Sequence, residues 1–186
     1  RGLGDVYKRQ HIGFDEMHFI DYFDQTKILR EYITDQELYD KIIKRYENRK
    51  NNEKLFFMGI TMQNHGGYTE TYDNFPENYY KVGRSYTDAN QYLSLVHESD
   101  EAVKNLISYF SKVDDPVEII FFGDHQPSLN SNFYPILNGK GLTGLTEDEL
   151  EKLYTVPFFI WTNYDTPEET VDITSLDYLS TMALER

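Results

Sequence analysis

The sequence predicts an α/β fold with a mostly parallel sheet flanked by helices. Strand-like apolar runs alternate with helical patterns along the chain, which is typical of such folds. The strand candidates are continuous apolar runs, which indicates strands that are covered on both faces. They are KLFFMGITM (54–62), VEIIFF (117–122) and VPFFIWTNYD (156–165).

Two of the predicted helices start at capping boxes, in which a threonine is followed three residues later by a glutamate. The first helix covers about 33–50 and starts at Thr34 and Glu37. Its apolar residues recur every four positions, as one face of a helix requires. The second capping box is formed by Thr146 and Glu149.

The longest predicted helix covers 87–113, and a last helix begins near 173. Apolar residues of the long helix recur at helical spacing and are expected to line one face. They are Val96, Val103, Leu106, Ile107 and Phe110.

The composition fits one globular domain with an aromatic-rich core. The chain has 186 residues, of which 16% are aromatic. This length allows a sizeable core, and disordered chains are poor in aromatic residues. The formal net charge of −14 argues against binding nucleic acid, because that requires a positive surface. There is no cysteine, which excludes disulfides and thiolate chemistry within this sequence.

Both ends of the chain are expected to be truncations of a longer domain. The chain starts without Met and stops at LSTMALER, inside a helical pattern. Residues 1–10 resemble translated sequencing-adapter read-through, so the fold prediction uses residues 11–186. A native basic N-terminal segment is the alternative for these ten residues.

Polar residues follow two of the predicted strands. Asn64, His65 and two glycines come after the first strand, and Gly123, Asp124 and His125 come directly after the second. Ligands of α/β sheets bind at the carboxyl ends of strands. The two loops are therefore expected to be neighbours in space.

Asp124 and His125 are candidate metal ligands. A carboxylate with an imidazole suits Mn²⁺ or Zn²⁺ better than Ca²⁺. Adjacent side chains on a strand point to opposite faces, so both reach one ion only if the backbone turns, which Gly123 would permit. The alternative is that Asp124 caps the next turn while His125 faces solvent.

His65 is a candidate for binding a phosphate oxygen or for general acid catalysis. The neighbouring glycines would let the backbone approach a ligand closely. On the residues alone, a loop histidine within a turn is the alternative.

Four segments resemble the second half of the catalytic domain of lipoteichoic-acid-synthase-like phosphoglycerol transferases. These enzymes form part of the sulfatase branch of the alkaline phosphatase superfamily. The resemblance covers nearly all of residues 11–186, and it implies the C-terminal portion of an incomplete alkaline-phosphatase/sulfatase-like fold. The segments are ITMQNHGGY, ESDEAVKNLISYF, IIFFGDHQP and VPFFIWTNYD.

The resemblance also implies roles for individual residues. Asp124 and His125 match the C-terminal pair of metal ligands, and His65 matches the histidine that contacts the phosphoglycerol group. The implied cofactor is one divalent metal, with Mn²⁺ favoured and Zn²⁺ or Mg²⁺ as alternatives. The nucleophilic threonine comes earlier in such chains, so no nucleophile is identified here and this chain alone is expected to be inactive.

The implied reaction transfers phosphoglycerol from phosphatidylglycerol to a glycerophosphate polymer or a glycolipid acceptor, as in lipoteichoic acid synthesis. Its implied location is the extracytoplasmic face of a bacterial cell membrane, with upstream transmembrane helices as the anchor. Two other functions stay open. One is a sulfatase or phosphodiesterase hydrolase on the same fold, and the other is a non-catalytic binding module.

Overall fold

Short strands and helices alternate along the chain, in agreement with the predicted α/β class. The computed structural model describes residues 13–75, 82 and 86–185, so the prediction for residues 1–10 lies outside them. No described helix is both long enough and apolar enough to cross a membrane. In chain order the elements are a 3₁₀ turn (Ile20–Tyr22), β1 (Ile28–Leu29), β2 (Tyr32–Ile33), α1 (Asp35–Glu47), α2 (Thr87–Phe110), β3 (Glu118–Phe122), α3 (Tyr134–Asn138), α4 (Glu147–Lys152), β4 (Phe158–Thr162), a 3₁₀ turn (Leu176–Tyr178) and α5 (Leu179–Leu184).

Both predicted capping threonines cap their helices. Thr146 and Glu149 form the complete reciprocal box at α4. At α1, the Thr34 hydroxyl accepts a hydrogen bond from the Glu37 amide. The Glu37 carboxylate turns away and accepts from the Asp24 amide at 3.0 Å. Glu37 therefore ties the chain before the first hairpin to α1 and leaves this capping box half formed.

The helices α1 and α2 pack together around the main hydrophobic core. This confirms the long amphipathic helix, although Val96 is 38% exposed and its neighbour Leu95 is fully buried. Successive residues of an α-helix are about 100° apart around its axis, so Val96 lies at the edge of the buried face of α2. The buried core side chains are Tyr39, Ala102, Val103, Leu106 and Phe110.

The strands β3 and β4 pair antiparallel, so the predicted parallel sheet is wrong for the described part of the chain. Phe122 lies opposite Phe158, and Glu118 lies opposite Thr162. A parallel connection needs a crossover of a dozen or more residues, usually a helix that runs back along the sheet. Helices α3 and α4 have five and six residues, which is too short for that role.

One face of the β3–β4 pair packs against the helices. Ile119 and Phe121 of β3 contact the α1–α2 core together with Trp161 of β4. The intervening Ile120 and the terminal Phe122 are 37% and 42% exposed. Alternation of this kind is typical of antiparallel strands with one covered face. The expected burial on both faces is therefore not found in the described residues.

The predicted first strand, residues 54–62, belongs to none of the strand pairs of the described chain. Its side chains Phe56, Met58 and Ile60 are 78%, 61% and 52% exposed. The segment instead passes close over α1. A Cβ atom added at Gly59 would lie 3.0 Å from the Leu38 side chain. The run thus leads across α1 into the loop that carries His65.

Candidate functional site

The loop with His65 is held by an arginine from the β1–β2 hairpin. Arg30 is 5% exposed, and its guanidinium donates to the backbone carbonyls of Gln63 at 2.9 Å and His65 at 2.6 Å. A third hydrogen bond goes to the Gln91 side chain of α2 at 3.1 Å. Arg30 therefore ties the hairpin, the loop and the long helix together.

Tyrosines complete this attachment. The Tyr68 hydroxyl donates to the carbonyl of Asn64 at 2.6 Å, so three consecutive carbonyls, those of residues 63 to 65, accept from buried side chains. Burial raises the pKa of Tyr68 to about 12, which keeps this hydroxyl protonated. The Arg30 guanidinium also lies 5.5 Å from the ring centre of Tyr32 and 5.3 Å from that of Tyr68. These cation–π contacts offset part of the cost of burying a charge that has no carboxylate partner among the described residues.

A second buried network lies beneath the same loop and is centred on Ser99 of α2. The Ser99 hydroxyl donates to the Asp35 carboxylate at 2.6 Å and accepts from the side-chain amides of Gln63 and Asn64. The Gln63 side-chain oxygen in turn accepts from the Asp35 amide at 3.0 Å. Burial raises the pKa of Asp35, against hydrogen bonds from Ser99 and Thr61 that lower it. The N-terminus of α1 is thereby bonded to the His65 loop.

The imidazole of His65 lies at the surface of this region. Its Nδ1 is 3.1 Å from the Tyr32 hydroxyl, and the two ring centres are 5.6 Å apart. The His65 amide donates to the carbonyl of Met62 at 3.0 Å, which closes a turn over residues 62–65. His65 therefore presents an exposed ring on a fixed backbone, as a ligand-contacting histidine requires.

The second candidate region follows β3. The carboxylate of Asp124 and Nε2 of His125 are 3.5 Å apart, and the two side chains are 85% and 74% exposed. Asp124 also accepts from the His125 amide at 2.9 Å. Gly123 serves a different purpose from the expected turn, because an added Cβ there would lie 3.0 Å from the Cβ of Val156. Close packing of the two chain segments therefore favours a glycine at this position.

The hydrogen bonds of His125 fit metal binding through Nε2. Its Nδ1 lies 2.9 Å from the carbonyl of Gln126, which can only accept, so Nδ1 carries the hydrogen. In the neutral ring Nε2 then has a free lone pair that faces the Asp124 carboxylate. A cation between these two acceptors would be favourable, and ligand atoms about 2.0–2.2 Å from one ion can be spaced in this way. The outward bond of Nδ1 is the usual support of a metal-bound histidine.

A complete metal site is not formed by the described residues. Among them there is no group of three or more His, Cys, Asp or Glu side chains that could hold an ion. If Asp124 and His125 bind an ion, they supply two of its ligands, and the others must come from elsewhere. His65 bonds to Tyr32 and Arg30, and the bonds of Asp124 and His125 stay within residues 124–126. Among the residues that the structure describes, no hydrogen bond or ion pair therefore joins the two regions.

An apolar groove begins next to Asp124 and His125. It has a volume of about 350 Å³ and lies between α2, α3 and the loop after β3. Gln126 and Pro127, which follow the pair directly, form one end of it. Phe133 at its base is buried, whereas Ile136 and Leu137 of α3 are 51% and 60% exposed.

Several important residues were not indicated by sequence reasoning. Arg30, Tyr32 and Ser99 lie 33 to 36 positions from the loop residues that they hold, and no motif marks them. Aromatic residues are frequent in the sequence after His65, which is consistent with packing in this region. Tyr68 packs in a second buried cluster with Phe75 and Leu95.

Comparison with known proteins identifies relatives of the chain. Residues 2–185 match the family model named Sulfatase. A protein of Rhizobium meliloti (strain 1021) named for capsular polysaccharide biosynthesis, RkpI, is 33% identical over 122 residues, or 64% of this chain and 21% of that protein. Another from the same organism, named for modification of cyclic beta-1,2-glucan, is 26% identical over 163 residues, or 83% of this chain and 25% of that protein.

The chain spans about a quarter or less of the length of these two relatives. No solved structure gave a significant match.

Proposed function

Since the chain belongs to the sulfatase family, we propose that it is part of a metal-dependent phosphoglycerol transferase of the bacterial cell envelope. Phosphatidylglycerol would be the donor, and a glycerophosphate polymer or a glycolipid the acceptor. The observation that carries the proposal is the paired Asp124 and His125 at the end of β3, with Nε2 facing the carboxylate. The names of the two relatives, which refer to a capsular polysaccharide and a glucan, favour a reaction on cell-envelope glycans.

Asp124 and His125 would hold one divalent metal together with residues from another part of the protein, and Mn²⁺ suits this donor set best. When bound, the ion would activate a hydroxyl nucleophile and neutralise charge on the phosphate. His65 would bind an oxygen of the phosphoglycerol group through its exposed ring. We propose no nucleophile within these residues, which leaves this chain inactive by itself.

The groove beside the pair supports a lipid donor. Its volume of about 350 Å³ falls in the range of small-molecule sites, roughly 300–1,000 Å³, and its lining is mainly apolar. An acyl chain could lie against Leu137 while the phosphate stays near Asp124. On this proposal the reaction takes place at the extracytoplasmic face of the membrane, with anchoring helices supplied by other parts of the protein.

The test uses the full-length protein with Mn²⁺ and phosphatidylglycerol labelled in the glycerol headgroup. Asp124→Ala should lower transfer by about 100-fold or more, because an open ligand position weakens both metal binding and charge neutralisation. Asp165→Ala, which removes another exposed carboxylate, is the matched control and should retain full activity. Full activity of Asp124→Ala would refute the metal assignment.

The labelled products distinguish transfer from hydrolysis. Hydrolysis is the activity that the family name suggests. Label that enters a polymer or glycolipid supports the transferase. Label that appears only as free glycerol phosphate in water would overturn transfer in favour of a phosphodiesterase.

A further inference from the structure

The turn between β1 and β2 holds Arg30 in a backbone conformation that favours glycine. Its φ is 54°, and Leu29 and Tyr32 pair across a loop of two residues. A positive φ at the first loop position is normally taken by Gly, and other residues are strained there. The contacts of the Arg30 side chain must offset this strain. Strain of this kind is characteristic of positions that fix a functional geometry.

The guanidinium fixes the backbone on both sides of Asn64. A single nitrogen, Nη2, donates to the carbonyl of Gln63 and to that of His65. Because the guanidinium is planar and buried, neither carbonyl can move without breaking a charge-assisted hydrogen bond. The same turn that strains Arg30 also places Tyr32 two residues later, beside the ring of His65.

Tyr32 determines which nitrogen of His65 carries the hydrogen. Its hydroxyl lies 3.1 Å from Nδ1, and the Arg30 cation lies 5.5 Å from the centre of its ring. A cation on the face of a phenol draws electron density from the oxygen, which makes the hydroxyl a better donor and a poorer acceptor. The hydroxyl therefore donates to Nδ1, and the neutral imidazole carries its hydrogen on Nε2.

We infer that Arg30 and Tyr32 are positioning residues that present neutral His65 as a hydrogen-bond donor through Nε2. The inference rests on the proposed function in one respect, which is that the acceptor would be a phosphate oxygen of the substrate. The inference also decides between two roles of His65, which are binding an anionic oxygen and acting as a base. In this tautomer Nε2 has no lone pair, so His65 binds an anionic oxygen and does not act as a base through that nitrogen.

The test is a long-range ¹H–¹⁵N correlation spectrum of the ¹⁵N-labelled protein, recorded with the imidazole in its neutral form. Hydrogen-bearing and lone-pair nitrogens have well-separated shifts, and we expect Nε2 of His65 to be the hydrogen-bearing one. In Tyr32→Phe the two shifts should move toward each other as the ring exchanges between tautomers. Tyr72→Phe is the control, because the Tyr72 ring also lies near Arg30, at 6.0 Å, while Tyr32 supplies the hydroxyl at His65.

A hydrogen on Nδ1 in the wild type, or unchanged shifts in Tyr32→Phe, would overturn the inference. In the full-length enzyme, Tyr32→Phe should lower kcat/KM for transfer about tenfold, as loss of a ring-orienting partner does elsewhere. The spectrum requires no substrate, so it tests the tautomer whatever the reaction is. Full activity of the Asp124→Ala enzyme would refute the proposed function. It would not affect the conclusion from the spectrum about the His65 tautomer.

Discussion

The two candidate regions differ in how much of their geometry the described chain supplies. The His65 loop is bonded on three consecutive carbonyls and rests on two buried networks. The Asp124–His125 pair projects into solvent and is oriented mainly by its own short-range bonds. This difference indicates that one region is preorganised by the core, while the other is exposed and held by few bonds.

The largest expected effect comes from removing the arginine that joins the hairpin to the loop. Arg30→Met should lower the free energy of unfolding by about 3 kcal/mol, because two buried carbonyls and the Gln91 side chain lose a charged donor. Urea unfolding followed by circular dichroism measures the change. The control Lys104→Met removes an exposed cation from α2 and should change the value by less than about 0.5 kcal/mol. Equal small effects of both variants would mean that the His65 loop is not preorganised by Arg30.

A smaller, pH-dependent effect is expected from Asp35. Because burial raises its pKa in the folded state, the stability linked to its neutral form is complete below about pH 3.8 and is lost as pH rises through the raised pKa. Asp35→Asn keeps a neutral side chain at every pH. The wild type should therefore lose stability relative to Asp35→Asn as pH increases. Unfolding of both proteins in urea from pH 4 to pH 8 checks this.

A difference in stability that stays constant over that pH range would contradict a raised pKa for Asp35. Asp40→Asn serves as the matched control, because this exposed carboxylate of the same helix pairs only with the neighbouring Gln36 side chain. It should show no comparable trend.

The elements that the sequence predicts well are those whose signals are local. The capping threonines, the long helix and the strand before Gly123 depend on spacing within one element, and the structure confirms each of them. Strand pairing was predicted wrongly because it depends on contacts between distant segments. The run 54–62 is apolar enough to be a strand, but apolarity does not show which partner, if any, it meets.

In the candidate site, too, local signals were predictable and contacts between distant segments were not. His65, Asp124 and His125 stand at the ends of apolar runs, so their positions suggested chemistry, and their roles stay predictions. Arg30 and Tyr32 could not be found in this way, because an arginine in a two-residue turn has no sequence signature. Only the fold shows that the turn brings them to the backbone and the ring of His65.

The smallest effect should come from the exposed pair itself. Asp124→Ala combined with His125→Ala should change the free energy of unfolding by less than about 0.5 kcal/mol, since both side chains are mostly exposed and their hydrogen bonds stay within residues 124–126. Urea unfolding under the conditions used for Arg30→Met gives a direct comparison. A loss above about 1 kcal/mol would show that the pair supports the β3–β4 connection, and the contrast between the two regions would then fail. Unchanged stability, together with lost transfer in the full-length Asp124→Ala enzyme, would indicate that the pair contributes to the reaction and not to the stability of the fold.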